Sequence, residues 1–511
     1  MENVPQLAVQ ANPLAVLSFI FYLAIIVIIG ILAARFSSAG ISEFFLAGRK
    51  MKKFVVALSA VVSGRSAWLL IGVTGMAYLR GASAVWAVAG YILAELFLFL
   101  FAAKRLRRYT EKMDNLTLPD FFESRYKDNS NLLRITSVII ILIFMVAYVS
   151  AQFNAGGKAF GASFGLGEFS GVLITALIVL AYTMMGGFLA VSLTDMLQAF
   201  FMIFALLILP VVALINFGGW NQVLAALDKL NPEVIGSFSL DPFSLSVGGI
   251  IGFLGIGLGS PGNPHILVRY MSIENPRALR KSALIGTVWN TLMAWGAIYI
   301  GLIGRAYYPA KDLLPNSDPE NLYPYLASFH LHPIIFGIII ASIFAAIMST
   351  ADSQLLVAAS GVVRDIYQKI LIKDKTLSQK KLVFLSRIVI VILVGIALIL
   401  GAVASQLVFW LVLFAWAGLG ASFGPTVILS LFWKRTTKQG VMAGFISGTI
   451  AVIIWNQVPF LKKIVYELVP AFIISTLLTI VVSLVTSPPS EAEKELEEIS
   501  AHYKGMKSLK K

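Results

Sequence analysis

Residues 61–75 read VVSGRSAWLLIGVTG, a stretch that is apolar at both ends and polar in the middle. Its flanks suit a bilayer, yet the centre holds Ser63, Gly64, Arg65 and Ser66. An arginine at that depth costs about 2.5–3.5 kcal/mol on insertion scales, and more without a partner. Gly64 and the flanking serines weaken helix here. Unwound backbone at membrane depth is tolerated only beside protein or a water-filled cavity. Residues 62–66 therefore read as one wall of a binding site inside a membrane transporter.

Composition points the same way. Of 511 residues, 58% are hydrophobic and only 13% charged, and mean hydropathy is +0.85. Helices apolar on every side must be solvated by lipid or by one another, so this is no soluble domain. The net charge of +14 would suit nucleic acid, but the basic residues sit in short loops between apolar runs, where the positive-inside rule places them. There is no cysteine, which removes disulfides and thiolate metal sites. The opening MENVPQLAVQANP lacks the basic segment of a secretory signal, so the first apolar run is expected to remain as a span.

About thirteen runs are long enough to cross the hydrocarbon core as helices. They fall at about 13–34, 51–79, 83–103, 132–162, 168–186, 188–216, 245–272, 276–307, 333–367, 380–402, 406–432, 438–456 and 464–486. Arg49, Lys50, Lys52 and Lys53 follow span 1, and Lys104, Arg105, Arg107 and Arg108 follow span 3. Lys369, Lys373, Lys375, Lys380 and Lys381 follow span 9, and Lys434, Arg435 and Lys438 follow span 11. That alternation puts the N-terminus outside and the C-terminus in the cytoplasm of a cell inner (plasma) membrane protein, with Lys462 and Lys463 as the exception. Residues 118–126 (LPDFFESRY) read as a short amphipathic helix on the inner surface. Asn115-Leu116-Thr117 fits a glycosylation sequon but lies in the same inner loop and is discounted. Residues 1–487 are expected to form one transmembrane domain, and 488–511 a charged cytoplasmic tail.

A second interrupted span reads GFLGIGLGSPGNPHILVRYM over residues 252–271, with Gly259, Pro261, Gly262 and Pro264 at its centre. Each proline removes a backbone donor and clashes with the preceding turn. Gly257, Gly259 and Gly262 formally fit a dinucleotide fingerprint, but no strand precedes them and Pro264 follows. Paired interruptions early in each half of a helical membrane chain point to an inverted-repeat transporter with its site at the midplane. Half-helix N-termini there can hold an anionic group, while freed carbonyls can coordinate a cation.

Four further stretches carry a family likeness: residues 186–198 (GGFLAVSLTDMLQ), 263–270 (NPHILVRY), 348–356 (MSTADSQLL) and 415–433 (AWAGLGASFGPTVILSLFW). On these motifs the chain resembles the sodium:solute symporter family, and within it the bacterial sodium/proline symporters. The resemblance implies an all-α membrane protein with the leucine-transporter fold. Spans 2–6 (about 51–216) and 7–11 (about 245–432) would be two inverted five-helix repeats, with spans 1, 12 and 13 added. It implies alternating access and no cofactor beyond sodium as the coupling ion. The family's main sodium site carries over to the carbonyls of Val62, Arg65 and Ala346 with the hydroxyls of Ser349 and Thr350. Asp195 matches an acidic position associated with ion coupling, Tyr148 a tyrosine of the proline symporters, and Pro264 their proline in the broken span. The chain also departs from them. It has Gly64 where they carry aspartate and Arg65 where they carry an uncharged residue, and two aromatics of their proline site become Ile256 and Ser260.

Arg65 admits three readings: an ion pair with Asp352, a fork onto a substrate carboxylate, or a side chain snorkelling into an aqueous vestibule. In the first, a guanidinium mimics sodium and makes transport sodium-independent. Ser349 and Thr350 are either ligands or ordinary back-bonding hydroxyls. Asp352 is an ion-pair partner, a second cation ligand or an exposed inner residue, and Asp195 a coupling residue or a solvated carboxylate at the start of span 6. Glu95 is expected to face protein and bond to a neighbouring helix, without chemistry. Ser63, Gly64, Arg65, Ser66, Tyr148, Gln152, Ile256, Ser260 and Pro264 are the candidate solute contacts, and Asn154, near Gln152, either faces the solute path or bonds between helices. His265 stands alone, without a metal motif, and Trp68, Trp410 and Trp416 are read as packing or anchoring residues. The expected activity is sodium-coupled symport of a small organic solute, an amino acid or organic acid. Its partners are that solute, sodium and the bilayer, with no nucleic acid and no obligatory protein. The rivals are a sodium-independent facilitator or exchanger of the same fold in which Arg65 replaces the ion, a transporter-like sensor and an intramembrane enzyme. No kinase or DNA-binding pattern after Thr486 supports the sensor, and no nucleophile–base pair supports the enzyme.

Overall fold

The computed structural model describes residues 12–37, 40–230, 236–373, 377–404 and 406–488, and they form a bundle of helices. Extended pairing among them is limited to two isolated bridges, Met51 with Ile273 and Gly81 with Ser239. The expected tail, from residue 489 on, and Lys375 of the span 9 loop lie outside the described residues.

Among the described residues ten helices are long and apolar enough to cross a membrane alone, and a bent pair taken as one span brings them to eleven. Numbered by the thirteen expected runs, span 1 is Pro13–Ser37, span 3 Ala82–Lys112, span 4 Leu132–Phe164 and span 6 Gly187–Phe217. Span 8 is Pro276–Tyr307, span 9 Pro333–Ile372, span 10 Gln379–Ala402, span 11 Val408–Phe432, span 12 Lys438–Gln457 and span 13 Leu468–Val485. Spans 9 and 11 are 83% buried, whereas spans 1 and 13 are only 28% buried and face lipid.

Spans 2, 5 and 7 differ from simple crossings, each for a local reason. Span 2 is Lys53–Ser63 and Trp68–Arg80, bent by 54°. Span 5, Glu168–Met184, is short because Gly187 (φ 57°, ψ −166°) turns the chain into span 6, a backbone that only glycine adopts at little cost. Span 7 begins as Val247–Gly255, tightens into Ile256–Gly262, passes through extended Asn263 and restarts as Pro264–Ser272. Pro264 sits at the first position of that last helix, where its missing N–H costs nothing. A Cβ on Gly259 would lie 1.9 Å from Trp416 Nε1, and one on Gly262 2.5 Å from the Leu419 carbonyl. These glycines let the broken span press directly on span 11.

One expectation changes. The helix Leu118–Tyr126 does not lie on the inner surface. Its Phe121 and Phe122 are fully buried. Arg125 Nε donates to the Ser430 carbonyl at 3.2 Å, and Tyr126 shares a 2.5 Å hydrogen bond with Ser430 Oγ. The helix is tucked under span 11, with Phe122 packed against Phe423 of span 11 and Phe445 of span 12.

Candidate functional site

Helix stops at Gly64, and Ser66 takes a left-handed backbone, φ 49°, before Trp68 resumes the span. Span 9 crosses this break. Thr350 Oγ1 donates to the Ser63 carbonyl at 3.0 Å. Ser349 Oγ donates to the Ala346 carbonyl at 3.1 Å and lies 3.5 Å from the Val62 carbonyl. Four of the five expected sodium residues are thus gathered in one buried place. The fifth, Arg65, sits on the same break with its carbonyl accepting from Leu69 N at 3.1 Å. A hydroxyl that donates to a carbonyl keeps its oxygen lone pairs free, and hard oxygens of this kind suit sodium.

Arg65 is 1% exposed and does not meet Asp352. Its Nη2 lies 2.7 Å from Glu95 Oε1, its Nε donates to Asn290 Oδ1 at 2.8 Å, and its guanidinium carbon sits 3.6 Å above the Tyr91 ring. The proposed Arg65–Asp352 pair and the snorkelling reading are both corrected by this geometry: at a buried site the carboxylate one helix away is a nearer counterion than span 9 or water. Glu95 faces protein as expected, yet its partner is the arginine of the break.

Asp195 is fully buried rather than solvated, because the turn at Gly187 carries span 6 straight back into the bundle. Its Oδ2 accepts from Ser59 at 2.6 Å, from Ser63 at 3.2 Å and from Arg269 Nη2 at 3.1 Å. Arg269 also donates to Ser63 Oγ at 2.8 Å, to Ser59 Oγ at 3.1 Å and to Ser353. Ser353 in turn lies 3.1 Å from Asp352 Oδ1. Asp195 therefore pairs with Arg269 directly and Asp352 reaches it only through Ser353, and the second oxygens of Asp195 and Asp352 have no hydrogen-bond partner. Asp352 is fully buried, not exposed at an inner opening.

Around the same break, Gln152 Oε1 accepts from Ala67 N at 3.1 Å, and Tyr148 OH reaches Ser66 Oγ at 3.5 Å. Gln152 Nε2, Trp68 Nε1 and Ser260 Oγ are buried without a partner. Trp68 stacks on Phe409 at 5.5 Å, and Trp416 Nε1 caps the Ile256 carbonyl at 2.8 Å. His265 packs edge-on to Tyr148. Asn154 instead donates to the Ala404 carbonyl at 3.1 Å, the interhelical alternative. A narrow cavity of about 20 Å³ beside Pro264 is lined also by Val268, Met271, Thr117, Ser360 and Asp365. It has room for little more than one water.

Both ends are closed by charges. At the far end Lys158 pairs with Asp318 at 2.8 Å and Glu320 at 2.6 Å, while Glu320 accepts from Val408 N and Phe409 N at 2.8 Å each. At the basic face Arg134 meets Asp120 at 2.8 Å and also pairs with Glu123 and Asp365. Burial pushes the Asp120 carboxyl up, but Arg134, Arg364 and the Leu116 amide outweigh it and hold it below the usual aspartate range.

Sequence reasoning passed over Arg269, Asn290 and Ser353. Arg269 lies inside the quoted NPHILVRY, and a second mid-membrane arginine was signal enough to ask for its partner. Asn290 and Ser353 are uncharged residues in apolar helices and carry no such signal.

Two broken helices enclosing buried, half-satisfied polar groups at the centre of a helical bundle define an integral-membrane secondary transporter, not an enzyme. The chain belongs to the sodium:solute symporter family, whose model matches residues 44–448. It is 41% identical over 456 residues to the high-affinity proline transporter PutP of Bacillus subtilis, covering 89% of this chain and 95% of that protein. It is 37% identical over 491 residues to a sodium/proline symporter of Staphylococcus aureus, covering 94% of each. Its fold matches a sodium-coupled sialic acid symporter with a TM-score of 0.77 at 17% identity, over 93% of this chain and 99% of the other. It also matches Mhp1, a nucleobase-cation-symport-1 family transporter, with a TM-score of 0.52 at 14% identity, over 89% and 98%. The fold is that of the leucine transporter, and the chain is a sodium-coupled symporter.

Proposed function

We propose that this symporter takes up a small zwitterionic amino acid together with sodium, by alternating access around the two breaks. The observation that carries the reading is the seating of the span 9 hydroxyls, Ser349 and Thr350, against the interrupted carbonyls of span 2. Sodium would be held by the carbonyls of Val62, Arg65 and Ala346 and by those two hydroxyls. The solute would lie between Ser66, Tyr148, Gln152, Ile256, Ser260 and Pro264, where the free Gln152 Nε2 and Trp68 Nε1 are donors suited to a carboxylate.

An amino acid is favoured over an organic acid for two reasons. The charge of Arg65 is already met by Glu95, so no free cation faces a dianion at the break. The relatives at 37–41% identity are proline transporters. Proline itself is the first solute to try, although Ile256 and Ser260 replace the aromatics that frame it in the family's proline symporters. The sodium-independent alternative needs the Arg65 guanidinium in the ion's place, and that guanidinium is committed to Glu95. Residues 51–216 and 245–432 would be the two repeats, with the N-terminus outside and the C-terminus cytoplasmic.

The test is a thermal-shift panel of amino acids, sugars and organic acids on purified protein, each in sodium and in choline. An amino acid that stabilises only in sodium supports the reading. A ligand equally stabilising in choline, or an organic acid alone, overturns it.

A further inference from the structure

We infer that Glu95 and Asn290 are positioning residues of the sodium site, acting through Arg65. The inference rests on the sodium cage proposed above and adds residues from two spans that contribute no ligand to it.

Three groups close a ring. Arg65 Nε donates to Asn290 Oδ1, Asn290 Nδ2 donates to Glu95, and Glu95 faces Arg65 Nη2. Spans 2, 3 and 8 are thereby tied together at the break, and Tyr91 on span 3 lies flat beneath the guanidinium. The ring also grips the backbone, since Arg65 Nη1 donates to the Gly64 carbonyl at 3.1 Å. A residue whose own carbonyl is a proposed sodium ligand is thus held by its side chain, one residue from the carbonyl that Thr350 uses. Gly64 completes the fit: a Cβ there would lie 3.3 Å from Glu95 Oε1 and 3.1 Å from Ile266 Cδ1.

Charge gives the ring a second consequence. A guanidinium fixed beside a cation site in a low-dielectric interior repels the ion unless it is neutralised. Glu95 supplies that neutralisation, and Asn290 satisfies a further donor and acceptor of the pair. A purely packing role would leave sodium affinity indifferent to the sign of the charge removed. The positioning role does not: losing Glu95 leaves a bare positive charge that repels the ion as well as loosening the ring, whereas losing Arg65 only loosens the grip on the backbone.

The experiment is a sodium chloride titration of full-length protein in nanodiscs, at constant ionic strength with choline, read by thermal stabilisation. Sodium alone is the probe, so the solute need not be known. Glu95→Gln is expected to raise the half-saturating sodium about tenfold or more, Arg65→Gln to raise it by less through the lost grip on the Gly64 carbonyl, and the double variant to fall back from the Glu95→Gln value to that of Arg65→Gln. If Glu95→Gln does not accumulate, the double variant against Arg65→Gln still reads the charge: equal affinities, or a double weaker by less than tenfold, are expected. Unaltered sodium binding in Glu95→Gln, or a double variant no better than Glu95→Gln, overturns the inference. Ser349→Ala/Thr350→Ala is run alongside. If that pair leaves sodium binding unchanged, the cage is misassigned; if it shifts while Glu95→Gln does not, only the present inference fails.

Discussion

Thr350 donates its hydroxyl proton to the backbone carbonyl of Ser63 at 3.0 Å, across the gap between span 9 and the break in span 2. Span 2 lost that carbonyl's helical partner at the break, and span 9 replaces it with a side chain. The contact is easily exchanged, because a cation can take over the carbonyl and the hydroxyl oxygen together.

Replacing Ser349 and Thr350 by alanine should therefore raise the sodium needed for half-maximal uptake by at least about tenfold, the equivalent of about 1.4 kcal/mol of lost binding. Uptake measured against sodium concentration in proteoliposomes reads this directly. An unchanged requirement rules out the two hydroxyls as ligands.

Asp195 and Asp352 differ in what they hold. Asp195 is bonded to Arg269, Ser59 and Ser63, whereas Asp352 is met only by its chain neighbour Ser353 and has no partner on its second oxygen. Removing one partner of a buried ion pair costs about 3–5 kcal/mol. Asp195→Asn should accordingly lower the melting temperature sharply, while Asp352→Asn, which removes a buried charge without a cation of its own, should hold or raise it. Sodium affinity should fall in Asp352→Asn, since the cluster of Asp195, Arg269 and Asp352 loses its excess negative charge. Melting curves with and without sodium separate the two effects, and equal destabilisation by both variants is the contrary result.

Much of this was legible in the residues. Glycine and proline at membrane depth marked both breaks, because their backbone effects are local and need no knowledge of neighbours. The partners of Arg65 were not legible. Asp352 and Glu95 both lay in apolar spans, and only packing could decide which carboxylate faced the guanidinium. Asp195 stays open between a coupling residue and a solvated carboxylate in the sequence for the same reason: its place near the start of span 6 says nothing about how Gly187 folds that start back inside. The burial of helix Leu118–Tyr126 likewise depended on a pocket under span 11 that no local pattern records.

Asp128 provides a stability test outside the membrane. Burial pushes its carboxyl up, but Lys438 at 2.6 Å, the Ser130 hydroxyl and the amides of Leu133 and Ser130 outweigh burial and hold it below the usual range. A carboxyl depressed in the folded state contributes stability that is complete above the ordinary aspartate value of about 3.9 and lost as pH falls through the depressed value. The wild type should melt above Asp128→Asn at neutral pH, with the gap closing on acidification below about pH 4. A gap that stays constant across that window contradicts the assignment.

The far-end closure is testable because the chain has no cysteine, so one introduced thiol is an unambiguous reporter. Glu320 holds three groups on two spans at once: Lys158 at the end of span 4, and the first two amides of span 11 at Val408 and Phe409. A glutamine there can accept from one amide but not bind Lys158 as a charge, so span 11 loses its tie to span 4. Phe409, 1% exposed and stacked on Trp68, lies directly beneath that tie. Phe409→Cys should react slowly with a membrane-impermeant maleimide in the parent protein and about tenfold faster when Glu320→Gln is added, a population shift of about 1.4 kcal/mol toward the state open at this end. Lys158→Met should act in the same direction. The same labelling rate in all three backgrounds means the closure is held by packing alone, and the Lys158–Glu320 pair only decorates it.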